Sequence, residues 1–297
     1  MEGERLDRFL CRYFPRTRRS FVRDALAAGD IVHNGRPGLK GRPVRAGDRV
    51  LVRYLLEEGD PWVRPEPDAS VRVLALTASW VAVDKPAGQP VQPQRPGQPG
   101  TLAGALAARF PECMAVGETD TGMGGILHRL DTGTSGIVLV ARTVAAWQAL
   151  RSQFRHHQVV KRYVAIVEGR VQKAGHIAYP LAHDPHYRGR MLVVTDPTTD
   201  LRWFPAVTEF QPVAYGPRRT KLEITIRTGV THQIRTHLAS IGFPIVGDDL
   251  YGVARDACAG RLALHAARIW FTDPDTAAPR EVESPVPPEL DALLSAD

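Results

Sequence analysis

Cysteine is scarce in this chain: Cys11, Cys113 and Cys258 are the only three in 297 residues, far apart and without Cys-x-x-Cys spacing. A disulfide framework and a zinc cluster are both disfavoured, and a reducing cytoplasm is the expected compartment. No run of 18 apolar residues occurs, and Met1 opens an acidic, arginine-rich segment with no apolar stretch behind it. Neither a membrane span nor a secretory leader is therefore expected. The chain also lacks a P-loop, a G-x-G-x-x-G string after a strand, and a His-Glu-x-x-His string. His232 and His237 are five apart and His156 and His157 are adjacent, so a metal-dependent hydrolase or nuclease is a weak reading. Nothing suggests a coiled coil or a fixed-period repeat, and a monomer is expected. Lysine is rare as well, 5 residues against 33 arginines, a bias that reads as genomic base composition.

What is present points to a globular protein of about two domains, with 43% hydrophobic residues for its cores. The net charge of +6 is unevenly placed. Residues 1 to 53 hold 13 Lys+Arg against 6 Asp+Glu, whereas the remainder holds 25 against 26. A basic excess of this kind raises the local concentration of polyanions and supplies sequence-independent phosphate contacts. Within it, Leu6, Phe9, Leu10, Tyr13 and Phe14 recur at helical spacing until Pro15, and Phe21, Val22, Ala25 and Leu26 repeat the pattern until Gly29. Ile31 to His33, an Asn34-Gly35 turn and Val50 to Val52 then read as short strands. Arg16, Arg18, Arg19 and Arg23 crowd the start of the second helix, where cations oppose the helix dipole. That conflict marks them as candidate binding residues for a polyanion.

The expected organisation is a small α+β module over residues 1–56, a linker over 57–70 made semi-rigid by Pro61, Pro65 and Pro67, and a larger domain over 71–297. In the larger domain Val71 to Leu76, Trp80 to Val83, Arg162 to Glu168, Thr220 to Arg227 and Leu262 to Trp270 read as strands. Thr101 to Phe110 and Thr143 to Phe154 read as helices, and the proline-rich stretch Gln89 to Gly100 as a long irregular loop of the kind that is functional or disordered. Strands mixed irregularly with a few helices predict an α+β fold rather than strict βαβ alternation.

The most informative string is His128-Arg129-Leu130-Asp131-Thr132-Gly133-Thr134-Ser135-Gly136. It sets a carboxylate beside an arginine in a Gly-rich loop ahead of Ile137 to Ala141, a run that reads as a buried strand. Glycines there give turn geometry and let a substrate approach closely. An Asp in such a loop can merely bond nearby backbone N–H groups; the whole string favours Asp131 as a nucleophile or base. Arg235 is its candidate partner, because a guanidinium stays charged and can hold a carboxylate and keep it oriented. In a helix from Thr231, Ile234 and Leu238 would face the core.

His-Arg-Leu-Asp-x-x-Thr-Ser-Gly resembles the signature of the RluA family of RNA pseudouridine synthases. Lys161-Arg162-Tyr163, Val83-Asp84-Lys85-Pro86-Ala87-Gly88 and Thr228 to His237 resemble further segments of that family, followed in order by Gly242 to Asp248, Leu250-Tyr251-Gly252 and Leu262 to Ala266. One departure is Val230, where the family usually carries Arg. The resemblance implies a catalytic domain with a mixed or antiparallel sheet, Asp131 as catalytic residue, Tyr163 beneath a flipped uracil, and Arg129 filling the gap left by the base or clamping its phosphate. His128 and Lys161 join the expected RNA-contacting set, although His128 also suits a loop-ordering hydrogen bond. Residues Arg5 to Val52 resemble an αL-type RNA-binding module of the ribosomal-protein kind. Uridine isomerisation breaks a C–N bond and makes a C–C bond without oxidation or loss of atoms, so no cofactor and no metal are expected. The expected partner is structured RNA, ribosomal RNA in preference to transfer RNA. The alternative from another class is a non-catalytic RNA-binding or ribosome-assembly factor.

Overall fold

The computed structural model describes residues 3–117, 122–196, 198, 200–252 and 260–295; Cys258 lies outside them. Contacts divide the chain into two compact units, Met1–Arg64 with Pro93–Gln98, and Pro65–Gln92 with Pro99–Asp297. The expected linker is thus shared out, 57–64 going to the small unit and 65–70 to the large one, and six residues from the middle of the long loop belong to the small unit.

In the small unit the helices Leu6–Tyr13 and Arg19–Ala27 bury Leu6, Leu10, Val22, Ala25 and Leu26 against Ile31 and Leu55. That is the stripe expected of amphipathic helices. Ile31–His33 pairs with Arg36–Pro37 across the Asn34-Gly35 turn and with Val50–Val52. Both turn residues take positive φ, Asn34 at 51° and Gly35 at 74°, as a type I′ hairpin turn requires. Prolines do not leave residues 93–98 loose. Arg95 donates to Asp24 O at 3.0 Å and to Asp30 Oδ2 at 3.2 Å, and Gly97 N–H donates to Trp62 O at 2.9 Å. Gly97 is dictated by space, because a Cβ there would fall 1.5 Å from the Tyr54 hydroxyl.

The large unit is built on a nine-stranded mixed sheet. Its order is Gly175–Ile177, Thr208–Tyr215, Arg219–Ile226, Val160–Glu168, Leu264–Thr272, Ser135–Ala141, Trp80–Lys85 and Arg72–Leu76, with Pro279–Glu283 also paired to Leu264–Thr272. Every pairing is antiparallel except that of Leu264–Thr272 with Ser135–Ala141. Ser135–Ala141 is buried throughout, which explains its apolar run from Ile137 to Ala141. Its start needs Gly136: at φ 113° a side chain would meet Ala266 O at 2.3 Å. The core gathers Trp80, Leu127, Ile137, Leu139, Leu150, Ile269 and Phe271, with Trp80 and Phe271 edge to face at 5.1 Å. Truncating either ring to Ala would cost about 3–5 kcal/mol. Helix Val144–Arg155 begins where Thr143 Oγ1 accepts from Ala146 N–H, and helix Leu102–Arg109 where Thr101 caps Gly104 N–H. The α+β fold with a mixed sheet agrees with the sequence reading; Thr208–Tyr215 and a small sheet of Met191–Val193, Leu181–His183 and Trp203–Phe204 were not foreseen.

Candidate active site

Asp131 stands in the turn that feeds Ser135–Ala141, its own carbonyl accepting from Thr134 N–H at 3.0 Å. The carboxylate is a quarter exposed and accepts at Oδ2 from Arg235 Nη1 at 3.2 Å. Arg235 comes from helix Gln233–Ser240, where Ile234 and Leu238 are buried as expected and Arg235 is buried beside them. A buried guanidinium needs a partner. It has Asp248, which takes Nε and Nη2 at 2.8 Å each in a two-pronged pair, while Leu250 and Tyr251 N–H groups donate to Asp248 Oδ1 at 3.0 Å each. Burial alone would weaken both charges, but the pairing wins: Arg235 is pushed above the usual guanidinium range and Asp248 below the usual carboxylate range. Arg235 therefore arrives at Asp131 with its plane already fixed by Asp248 and by the Tyr251 ring, 5.3 Å from the guanidinium carbon.

His232 faces the other carboxylate oxygen, Nε2 lying 3.9 Å from Asp131 Oδ1. It caps the helix in the left-handed region at φ 53°, a conformation unusual for a non-glycine residue and a mark of functional sites. Its Nδ1 lies 3.0 Å from the Tyr251 hydroxyl, whose oxygen already accepts from Met191 N–H at 2.7 Å. The imidazole ring thus sits between the Tyr251 phenol, which also has the Thr236 side chain as a partner, and the Asp131 carboxylate. Burial lowers the pKa of His232, with Asp131 pulling the other way. Neither His232 nor Asp248 nor Tyr251 was singled out as a functional residue in the sequence. Only their place in the third motif and the segment after it marks them.

Tyr163 lies in Val160–Glu168, buried, and its phenol is pushed well above the usual range by burial with a contribution from the Asp131 charge. Asp131, Arg235 and Tyr163 thus gather from three separate segments. Arg129, two residues before Asp131 in the same loop, is exposed. Two residues of the expected RNA-contacting set are turned inward instead. Lys161 is buried and donates to Thr228 O at 2.8 Å, burial lowering its pKa to about 8. Part-buried His128 accepts from Leu139 N–H at 3.1 Å and stacks on Phe154 at 5.2 Å, with a pKa lowered to about 3 by burial and by Lys161. Both brace loops, since they bond to groups within the protein. Val230 packs with the apolar cluster Leu181, Met191 and Ala206, so an apolar residue suits its position here.

The four candidate arginines of the module divide. Arg16 and Arg18 are engaged by the acidic stretch that follows the module, Arg16 with Glu57 at 3.6 Å and Arg18 with Glu58 at 2.7 Å. Arg19 and Arg23 line a groove of about 330 Å³ together with Arg5, Arg8 and Lys40. Among the described residues, no cluster of His, Cys, Asp or Glu is arranged to hold a metal ion, and no helix is long and apolar enough to cross a membrane.

A carboxylate gripped by a locked guanidinium in a mixed α+β sheet places the protein in a definable class. The chain belongs to the RNA pseudouridylate synthase family, whose pattern it matches over residues 79–240, and so to a family of isomerases. It is 35% identical over 98% of its length to an uncharacterized RNA pseudouridine synthase of Chloroflexus aurantiacus, covering 89% of that protein. It is 34% identical over 99% of its length to the ribosomal large subunit pseudouridine synthase D of Xanthomonas campestris pv. campestris, again covering 89%. Among solved structures, the human RNA pseudouridylate synthase domain containing 1 superposes with a TM-score of 0.62 at 26% identity, over 77% of this chain and 91% of that one.

Proposed function

We propose that this protein isomerises specific uridines of ribosomal RNA to pseudouridine, with Asp131 as the group that opens the reaction. Similarity to large-subunit enzymes such as that of Xanthomonas campestris favours ribosomal over transfer RNA. The observation that carries the reading is the contact of Arg235 Nη1 with Asp131 Oδ2 at 3.2 Å, from a guanidinium held two-pronged by Asp248. Attack on C1′ of the sugar, attack on the uracil ring, and proton abstraction from the sugar all need a carboxylate aimed at one point, and Arg235 supports that need. The C1′–N1 bond breaks, the uracil turns, C5 bonds to C1′, the C5 proton leaves and N1 gains one. Electrons balance without a redox partner, and the scheme is written with side chains alone, without cofactor or metal.

A uridine inside folded RNA must leave its stack to reach Asp131, at a cost of a few kcal/mol. In this reading Arg129 stands in for the extruded base, Tyr163 forms the floor under the uracil, and the Arg19 and Arg23 groove binds the phosphate backbone. The protein works in the cytoplasm as a monomer. The test is carbodiimide mapping of pseudouridine in large-subunit rRNA from cells with the gene, without it, and carrying Asp131→Asn. A pseudouridine that disappears on deletion and returns with the wild-type gene but not with Asp131→Asn is expected. If every pseudouridine persists on deletion while ribosome assembly suffers, the protein is an assembly factor instead.

A further inference from the structure

The chain uses 5 lysines against 33 arginines, yet places Lys85 at a site with no exposed surface at all. Lys85 ends strand Trp80–Lys85, opposite Gly136 in the neighbouring strand. Its Nζ has three N–H donors and meets three carbonyls: Pro86 O at 2.9 Å, Gln89 O at 2.7 Å and Thr132 O at 3.3 Å. Thr132 follows Asp131 directly, and its carbonyl also accepts from Gly88 N–H at 2.8 Å. One ammonium thus knots the turn after its own strand to the turn that carries the carboxylate. Arginine would not serve in this slot, because its planar fork needs more room and cannot converge on one point.

Burying a lysine with only neutral acceptors is costly. The charged groups that act on it are Asp131 and Asp84, which favour the ammonium, and Arg261, which opposes it. Asp84 is itself occupied by Arg72 at 3.1 Å and by the Ser284 hydroxyl at 2.9 Å. Burial lowers the Lys85 pKa to about 7, and of the opposing attractions that of Asp131 is the largest. A hydrophobic residue would fill the same space at less cost, so the retained cation calls for a use at the site.

We propose that Lys85 is a positioning residue for the catalytic carboxylate, its buried Nζ fixing the Asp131 turn against the Pro86 to Gln89 segment through the Pro86, Gln89 and Thr132 carbonyls. This rests on Asp131 being the reactive group. Displacing a reacting atom by about 1 Å costs up to roughly a hundredfold in rate.

Two measurements on the full chain test it. In the first, lysine is labelled with 13C at Cε and the five side chains are titrated by NMR, the Lys85 signal being the one that vanishes in Lys85→Met or Lys85→Gln. The Lys85 midpoint is expected near 7, and lower in Asp131→Asn because an attracting charge has gone. In the second, Lys85→Met and Lys85→Gln are compared with wild type by thermal melting and by kinetics on an RNA substrate. Met fills the space without donors, and Gln keeps a neutral donor should Met fail to fold. Both should lower kcat by about ten- to a hundredfold with KM changed less than about threefold. A Lys85 midpoint indifferent to Asp131→Asn, or a folded Lys85 variant with wild-type kcat, overturns the proposal. Turnover surviving in Asp131→Asn would instead overturn the role given to Asp131. The two failures are distinct because the titration needs no activity.

Discussion

Replacing Arg235 by Met should unfold the protein earlier and silence it, for two separable reasons. The side chain is 9% exposed and its partner Asp248 is fully buried, so Arg235→Met leaves an uncompensated carboxylate in the interior at about 3–5 kcal/mol. In a unit of this size each kcal/mol moves the melting temperature by about 2–4 °C, which gives a fall of roughly 6–20 °C. Arg235→Met combined with Asp248→Asn removes both charges, and the Asn carbonyl can still accept from the Leu250 and Tyr251 N–H groups that Asp248 Oδ1 holds at 3.0 Å. The double variant should recover at least half of the fall in melting temperature yet remain inactive, since Asp131 still lacks its guanidinium. The sign with pH follows from the depressed Asp248 value: the pair's contribution is complete above the unfolded carboxylate value of 3.8 and disappears as pH falls through the lower folded one. Melts by calorimetry, paired with release of label from RNA carrying tritium at uracil C5, measure both effects. An Arg235→Met variant melting within about 2 °C of wild type, or a double variant that turns over, would refute the reasoning.

Asp131→Asn should remove turnover while RNA binding and melting temperature stay near wild type, because the side chain is part exposed and its amide oxygen still accepts from Arg235; a residual rate of even a tenth would exclude Asp131 as the catalytic group. EDTA should leave turnover unchanged on a pre-folded RNA, and recovery only on adding zinc or manganese would count against the metal-free scheme. Arg19→Ala with Arg23→Ala should weaken RNA binding and flatten its dependence on log salt by about 0.7 for each single-strand phosphate that is no longer neutralised, whereas an unchanged slope would exclude the groove. His128 has its pKa lowered from 6.5 to about 3, so the stability gained by keeping it neutral is present above pH 6.5 and disappears as pH falls toward 3. His128→Gln should flatten the melting profile over that window; an unaltered profile would mean another group titrates there.

Asp131 and the strand behind it were legible because local pattern dictates them: glycines, a polar turn and then unbroken apolar residues. Arg235 was legible as a charged residue at the motif's helix, but its burial was not, because that depends on Asp248, 13 residues on, folding back with both oxygens turned toward it. Lys161 and His128 look alike in sequence whether they face RNA or brace a loop; only the positions of Thr228 O and Leu139 N–H distinguish the two. The small sheet was invisible because no Asn-Gly turn marks its strands of two or three residues, as Asn34-Gly35 marks Ile31–His33. The left-handed His232 was hidden for a related reason, since nothing in Thr-His-Gln announces a positive φ.

The chain leaves the small unit after residue 64, returns to it at 93 and departs again after 98. The two units are therefore stitched, not strung. A protease cutting after Arg64 would open the backbone without freeing the amino-terminal piece, because Arg95 would still grip Asp24 and Asp30 from the other fragment. Transplanting the module onto another enzyme, or deleting it from this one, means moving two separate pieces of sequence together.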